Sequence, residues 1–182
     1  AVSGALGGHI PFQDAVKTIE DIIQSRPDFY PAYQYLADLL NDMGDLGQAA
    51  AIARRGLEIA PNNTALLLSL AQVESQRGKA VEAADLFRRV LAAYPESFDA
   101  QIGLGVALLG GGDAGDALEL FTDLAEVAPS DPEVCDGLAR AAIASQRMDE
   151  AAAVLTAAIE DQPTVVAPRL ALAAIKRTQK LC

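Results

Sequence analysis

The sequence predicts an all-α fold, a superhelical solenoid of antiparallel helix pairs ending in a C-terminal capping helix, and three observations carry that prediction. Pro27, Pro61, Pro95, Pro129 and Pro163 recur every 34 residues. Small residues keep the same register, as Ala37, Ala71, Gly105 and Ala139, each preceded by a leucine (Leu36, Leu70, Leu104, Leu138), and again as Ala49, Ala83, Ala117 and Ala151. Between these marks the apolar residues recur at helical spacing in stretches of about 13 residues, with Gly44, Gly78 and Gly112 at the breaks. A period of that length marks a unit that cannot bury its apolar face alone and must stack on its neighbours.

Composition agrees. The chain is 51% hydrophobic but only 5% aromatic, and alanine supplies much of the apolar content. Burial must therefore come from many close helix contacts rather than from a few bulky anchors. The net charge is −11, unevenly spread. Residues 98–131 hold seven carboxylates and no Lys or Arg, whereas Arg169, Lys176, Arg177 and Lys180 make the tail basic. So acidic a chain repels a phosphate backbone, and no basic stripe interleaved with aromatics is present, so nucleic acid is not an expected partner. No apolar run approaches the roughly 20 residues needed to span a bilayer, and no leader pattern opens the chain. A soluble protein without membrane insertion is expected; the compartment stays open, with the cytoplasm favoured over the periplasm. Cys135 and Cys182 form neither a disulfide framework nor a metal spacing.

The opening segment, Ala1 to His9, is glycine-rich and starts without methionine, which suggests processing or excision from a longer protein. The register places Val2, Ser3 and Leu6 opposite Leu36, Ala37 and Leu40, as the remnant of a first helix. Pro11 suits a helix start. Ala15, Val16, Ile19, Ile22 and Ile23 then form an apolar stripe ended by Pro27, so residues 10–29 read as a partial repeat. Four full repeats follow, 30–63, 64–97, 98–131 and 132–165, each of two helices joined by a short turn, within one array covering 1–182. In the first, Tyr33, Leu36 and Leu40 make one stripe and Ala49, Ala53 and Leu57 the other. Ala37 and Ala49 let the two backbones approach; a larger residue there overpacks at about 1–3 kcal/mol. The fourth repeat has Gln146 where the others have a turn glycine, which predicts a turn that closes differently. Gly103 and Gly105 cost about 1 kcal/mol each within a helix, which makes the third repeat the expected bending point. Residues 166–182 form the capping helix, with Leu170, Leu172 and Ile175 covering the last repeat and the four cations facing water.

The pattern resembles the tetratricopeptide repeat (TPR). Tyr33, Leu36, Ala37, Gly44, Ala49 and Pro61 fit its order of residues in the first unit, and Leu67, Leu70, Ala71, Gly78, Ala83, Phe87 and Pro95 in the second. Leu104, Gly105, Leu108, Gly112, Ala117, Phe121 and Pro129 fit in the third, and Leu138, Ala139, Ala151, Leu155 and Pro163 in the fourth. Gln101 and Cys135 depart from it at the first apolar position.

Catalytic machinery is not legible. His9 is the only histidine and lies in the loose opening segment. No HExxH, paired CxxC, Walker loop or GxSxG occurs, and Gly103, Gly105 and Gly110 miss the GxGxxG spacing. Neither an enzyme nor a cofactor is expected, and Asn62-Asn63-Thr64 is read as a chance match to a glycosylation acceptor.

Binding is the better expectation. The resemblance implies that the first helix of each repeat lines a concave groove. That mapping selects Gln34, Asp38 and Asn41, then Leu68, Gln72 and Ser75, then Ile102, Val106 and Leu109, and finally Asp136, Arg140 and Ile143. Leu68, Ile102, Val106 and Leu109 read as an apolar strip able to seat a partner's helix or extended segment, or equally to be covered by a flanking helix. Family members that grip acidic chaperone tails use Lys, Asn and Arg on these helices; that clamp is missing here. Asp116, Glu119, Asp123 and Glu126 align as one acidic stripe, read as a solvated outer face rather than as a surface steering a basic partner. The function expected is a protein-interaction scaffold taking a protein or peptide partner. The alternatives are the substrate-recruiting region of a larger enzyme, such as a glycosyltransferase, and a homo-oligomeric scaffold.

Overall fold

In a computed structural model, residues 12–180 are described, and among them the regular structure is ten helices and no strand. The helices are α1 (Phe12–Ser25), α2 (Tyr30–Asp42), α3 (Leu46–Ile59), α4 (Thr64–Gln76) and α5 (Ala80–Ala93). They continue as α6 (Phe98–Gly111), α7 (Ala114–Val127), α8 (Pro132–Ala144), α9 (Met148–Asp161) and α10 (Ala167–Gln179). Val2, Ser3, Leu6, His9, Pro11 and Cys182 lie outside the described residues. The chain divides into two compact units, Ala1–Val73 and Glu74–Cys182, with the division falling inside α4.

In the first unit α2 packs against α1 and α3. Ala37 and Ala49 are buried, as the close approach of α2 and α3 requires, together with Tyr33, Leu36 and Leu40. The Tyr33 hydroxyl donates to the Pro27 carbonyl at 2.9 Å, tying the first turn of α2 to the connection before it. Gly56 serves packing: an added Cβ would lie 2.9 Å from side-chain carbons of both Tyr33 and Leu66. The Asp45 carboxylate caps α3 by accepting from the Gln48 N–H at 3.1 Å, and Asn63, in the apparent glycosylation triplet, accepts from the Leu66 N–H at 2.9 Å.

In the second unit α6 packs on α5 and α7, α8 on α7 and α9, and α10 on α8 and α9. Its core is built round two rings, Phe87 and Phe121. Fully burying such a side chain is worth about 1.5–3 kcal/mol, and both rings occupy space that glycines provide. A Cβ at Gly103 would stand 2.3 Å from the Phe87 ring. One at Gly105 would stand 2.6 Å, and one at Gly137 2.3 Å, from the Phe121 ring. The glycines expected to soften the third repeat therefore seat its aromatic neighbours, and α6 runs uninterrupted from Phe98 to Gly111.

The departures at Gln101 and Cys135 do not loosen the packing. Gln101 Nε2 donates to the Pro95 carbonyl at 2.8 Å, and the Cys135 thiol donates to the Pro129 carbonyl at 3.4 Å. Each makes, to the proline that closes the preceding repeat, the link that Tyr33 makes to Pro27.

The fourth turn does not close differently, contrary to the sequence expectation. Gly44, Gly78 and Gly112 have φ of 78°, 75° and 92°, and Gln146 adopts φ 61° in the same place. The hydrogen bonds match as well: Asp45 N–H to Leu40 carbonyl at 2.9 Å, and Arg147 N–H to Ala142 carbonyl at 2.9 Å. Six-residue loops of this kind satisfy the last carbonyls of a helix, and here that gain holds a glutamine in a conformation that normally favours glycine.

The capping helix also differs in detail. Ile175 is buried and Leu172 half-buried, but Leu170 is 67% exposed, and Pro168 and Ala171 complete the covering face instead.

Candidate functional site

The twelve positions selected for the groove do not share one environment. In the first unit, Gln34, Asn41 and Leu68 are half-buried and Gln72 is exposed. Asp38 is held in place: its carboxylate accepts from the hydroxyl of Ser69 on α4, itself buried. That bond makes Asp38 a link between the first helices of two successive repeats rather than a free ligand for a partner.

In the second unit, Ser75 is half-buried. Beside it lies a feature that the groove mapping passed over: Glu74 is 0% exposed, 34 residues from Leu40 and Leu108, which are core residues. Arg77 Nη1 reaches both of its oxygens at 3.0 and 3.1 Å, and Lys79 Nζ lies 3.8 Å away. A carboxylate out of contact with water requires such partners. The sequence signal was the break in an otherwise apolar register position.

The apolar strip is altered by packing. Ile102 is only 8% exposed and belongs to the core, and Val106 and Leu109 pack against that core from its edge. Reversing Ile102 to a charged residue therefore tests folding rather than binding.

Asp136, Arg140 and Ile143 are brought together. They form one wall of a cleft of about 240 Å³ between α8 and α10, with Pro132 and Ala139; Ala167, Leu170, Ala171 and Ala174 form the other. Asp136 and Arg140 are exposed and paired at 3.4 Å across one helical turn. Exposed pairs of that kind are worth about 0.3–0.5 kcal/mol, so Arg140 can exchange this partner at little cost. Much of the lining is alanine, with Pro132, and these small side chains keep the cleft open. Leu170 was missed as a lining residue because it was assigned to the covering stripe. Its register was available, since it lies 34 positions after Asp136.

The acidic residues Asp116, Glu119, Asp123 and Glu126 are all exposed on α7. The repeat holding them has no cation, but Arg147 from the next repeat reaches Glu119 at 3.7 Å. The same guanidinium holds Glu150 at 2.7 Å and keeps that carboxyl below its usual range. Cys135 is buried beside Asp131; burial first, and the Asp131 charge second, push its thiol up to about 11. Among the described residues no group of His, Cys, Asp and Glu is placed to hold a metal ion, and no helix is long and apolar enough to cross a membrane.

Comparison with known proteins fits this architecture. Among solved structures, a tetratricopeptide repeat protein from Parabacteroides merdae is 17% identical, with a TM-score of 0.78 over 93% of this chain and 67% of that one. MamA from Desulfovibrio magneticus, residue 41 to its end, is 17% identical, with a TM-score of 0.75 over 82% of this chain and 84% of that one. YrrB, described as a TPR protein with an unusual peptide-binding site, is 20% identical, with a TM-score of 0.71 over 91% of this chain and 85% of that one. No curated protein matches by sequence. The family model of the tetratricopeptide repeat matches residues 40–101, 74–134 and 108–175, and with the helix pairs and turns described above this chain belongs to that family.

Proposed function

We propose that the protein is a non-catalytic interaction scaffold whose first helices receive a partner's helix or extended segment, anchored in the cleft between α8 and α10. Membership of a repeat family and the fold shared with YrrB, a peptide-binding TPR protein, support a role in protein interaction. The observation that carries the finer reading is the cleft itself. It joins an alanine-rich lining, a 67% exposed leucine and an exposed arginine, so it can take an apolar side chain while fixing the polarity of the segment that bears it.

Peptide selection tests this. Random peptides displayed on phage are enriched against the wild-type chain, and their affinities are then compared with a variant carrying Arg140→Glu and Ala174→Gln. The selected peptides should bind the folded variant at least about tenfold more weakly. Equal affinity for both proteins moves the site away from α8 and α10.

A further inference from the structure

Two surfaces of the second unit remain unaccounted for. The first is the outer face of α10. The residues 34 positions before Arg169, Ala173 and Lys176 are Cys135, Ala139 and Ala142, all buried on α8. On α10 the same positions are exposed. Beside them stand Val166 at the helix start and Leu170, 61% and 67% exposed. Arg169, Lys176, Arg177 and Lys180 make no ion pair among the described residues. A terminal helix needs a polar outer face to stay in water; it does not need two exposed aliphatic side chains at one end of that face.

The second surface is a trough of about 330 Å³ between α7 and α9, the second helices of adjacent repeats. Its floor includes Ala125, Val154, Ala157 and Ala158, and Glu126 and Asp161 stand on its two walls. A floor of small side chains lets another helix approach closely. Neither Glu126 nor Asp161 is in an ion pair among the described residues, whereas Glu119, farther along α7, is held by Arg147.

We propose that the outer face of α10 docks in the α7–α9 trough of a second copy of this chain. The two surfaces are complementary in both respects that matter. Exposed aliphatic side chains meet an apolar floor, and unpaired cations meet unpaired carboxylates on the two walls. The occupant is a second copy, because α10 is committed through Ala171 and Ile175 to its own α8 and α9, so its outer face cannot turn back onto its own trough. The contact joins two different surfaces, so a docked pair still offers one of each, one on either copy. Association therefore runs head to tail, without closing at a dimer. This proposal is independent of what the α8–α10 cleft receives, although Leu170 stands at the edge the two share.

Sedimentation velocity over about two decades of concentration tests it. The mean mass should rise with concentration without a plateau at the dimer, and association should weaken at least about tenfold between low and high salt, because exposed charges are screened. Reversing one face by Arg169→Glu with Lys176→Glu, or the other by Glu126→Lys with Asp161→Lys, should each weaken association at least about tenfold. Carrying all four reversals should restore it to within about threefold, and Leu170→Ser should weaken it without touching a charge. All five positions are exposed, so circular dichroism should show native helix content in every variant. A wild-type chain that stays monomeric, a plateau at the dimer, or reversals that change nothing or are not restored in combination would overturn the proposal. Arg140→Glu with Ala174→Gln, the cleft variant, should leave the mass distribution unchanged; loss of association there would place the contact in the cleft instead.

Discussion

Replacing Gly103 by alanine separates helix propensity from packing. Within α6, alanine is favoured over glycine by about 1 kcal/mol, so the local sequence forecasts a more stable protein. The tertiary structure forecasts the reverse. The added Cβ would lie 2.3 Å from Phe87 Cζ and 2.4 Å from Cε1, well inside van der Waals contact. Phe87 is 2% exposed and cannot swing into solvent, so the helix or the ring must shift. Overpacking of this kind costs about 1–3 kcal/mol, and the depth of the overlap places it at the upper end. The net effect should be a loss of about 1–2 kcal/mol. Urea unfolding followed by circular dichroism measures this, provided that m is unchanged. Gly115→Ala is the control, since a Cβ there meets nothing within 4 Å, and it should be neutral or stabilising by up to about 1 kcal/mol. Phe87→Leu should lower the cost of Gly103→Ala, giving a coupling of about 1 kcal/mol or more. The reasoning is refuted if Gly103→Ala stabilises as Gly115→Ala does, with no coupling to residue 87.

Two other predictions follow from the turns and the buried thiol. Gln146 holds φ 61° where three glycines stand in the equivalent turns, so Gln146→Gly should raise stability by about 1 kcal/mol, read as a higher urea midpoint; an unchanged or lower midpoint contradicts it. The folded state favours the protonated Cys135 thiol, whose pKa is raised from 9.0 to about 11. Its contribution is therefore fully present below about pH 9 and is lost as pH rises through about 11. The stability difference between wild type and Cys135→Ala should shrink over that interval, and a difference that grows with pH overturns the assignment.

Helix positions and the family were legible because they depend on local periodicity. Prolines every 34 residues end each pair, glycines mark three turns, and the apolar stripes call for helices of about 13 residues, close to the observed lengths of 13 and 14. The Phe and Gly pairing could also have been found. Phe87 and Phe121 are each followed sixteen positions later by a glycine, Gly103 and Gly137, whereas Ala53 and Leu155 are followed by Ser69 and Ala171. Helix propensity by itself marks Gly103 only as a cost of about 1 kcal/mol; read across repeats, Gly103 and Gly137 also provide the space a ring occupies.

The candidate site was legible only in part. The register carried Asp136, Arg140 and Ile143 to one face of a helix. It did not show that Ile102 would sink into the core, that Asp38 would bind Ser69, or that Leu170 would stand exposed at the cleft. Each outcome depends on how far neighbouring helices overlap at that point, which a period in the sequence does not encode.

By itself, the sequence determined the repeat, the helix pairs, the small residues where helices touch and the uneven charge, because each follows from backbone geometry and the spacing of side chains along one helix. The tertiary structure alone decided that Gln146 would take a glycine's conformation, that Glu74 would be buried and held by the exposed Arg77, and which of the twelve selected positions stay exposed. Those outcomes are set by side chains far apart in the chain that meet only when the repeats stack.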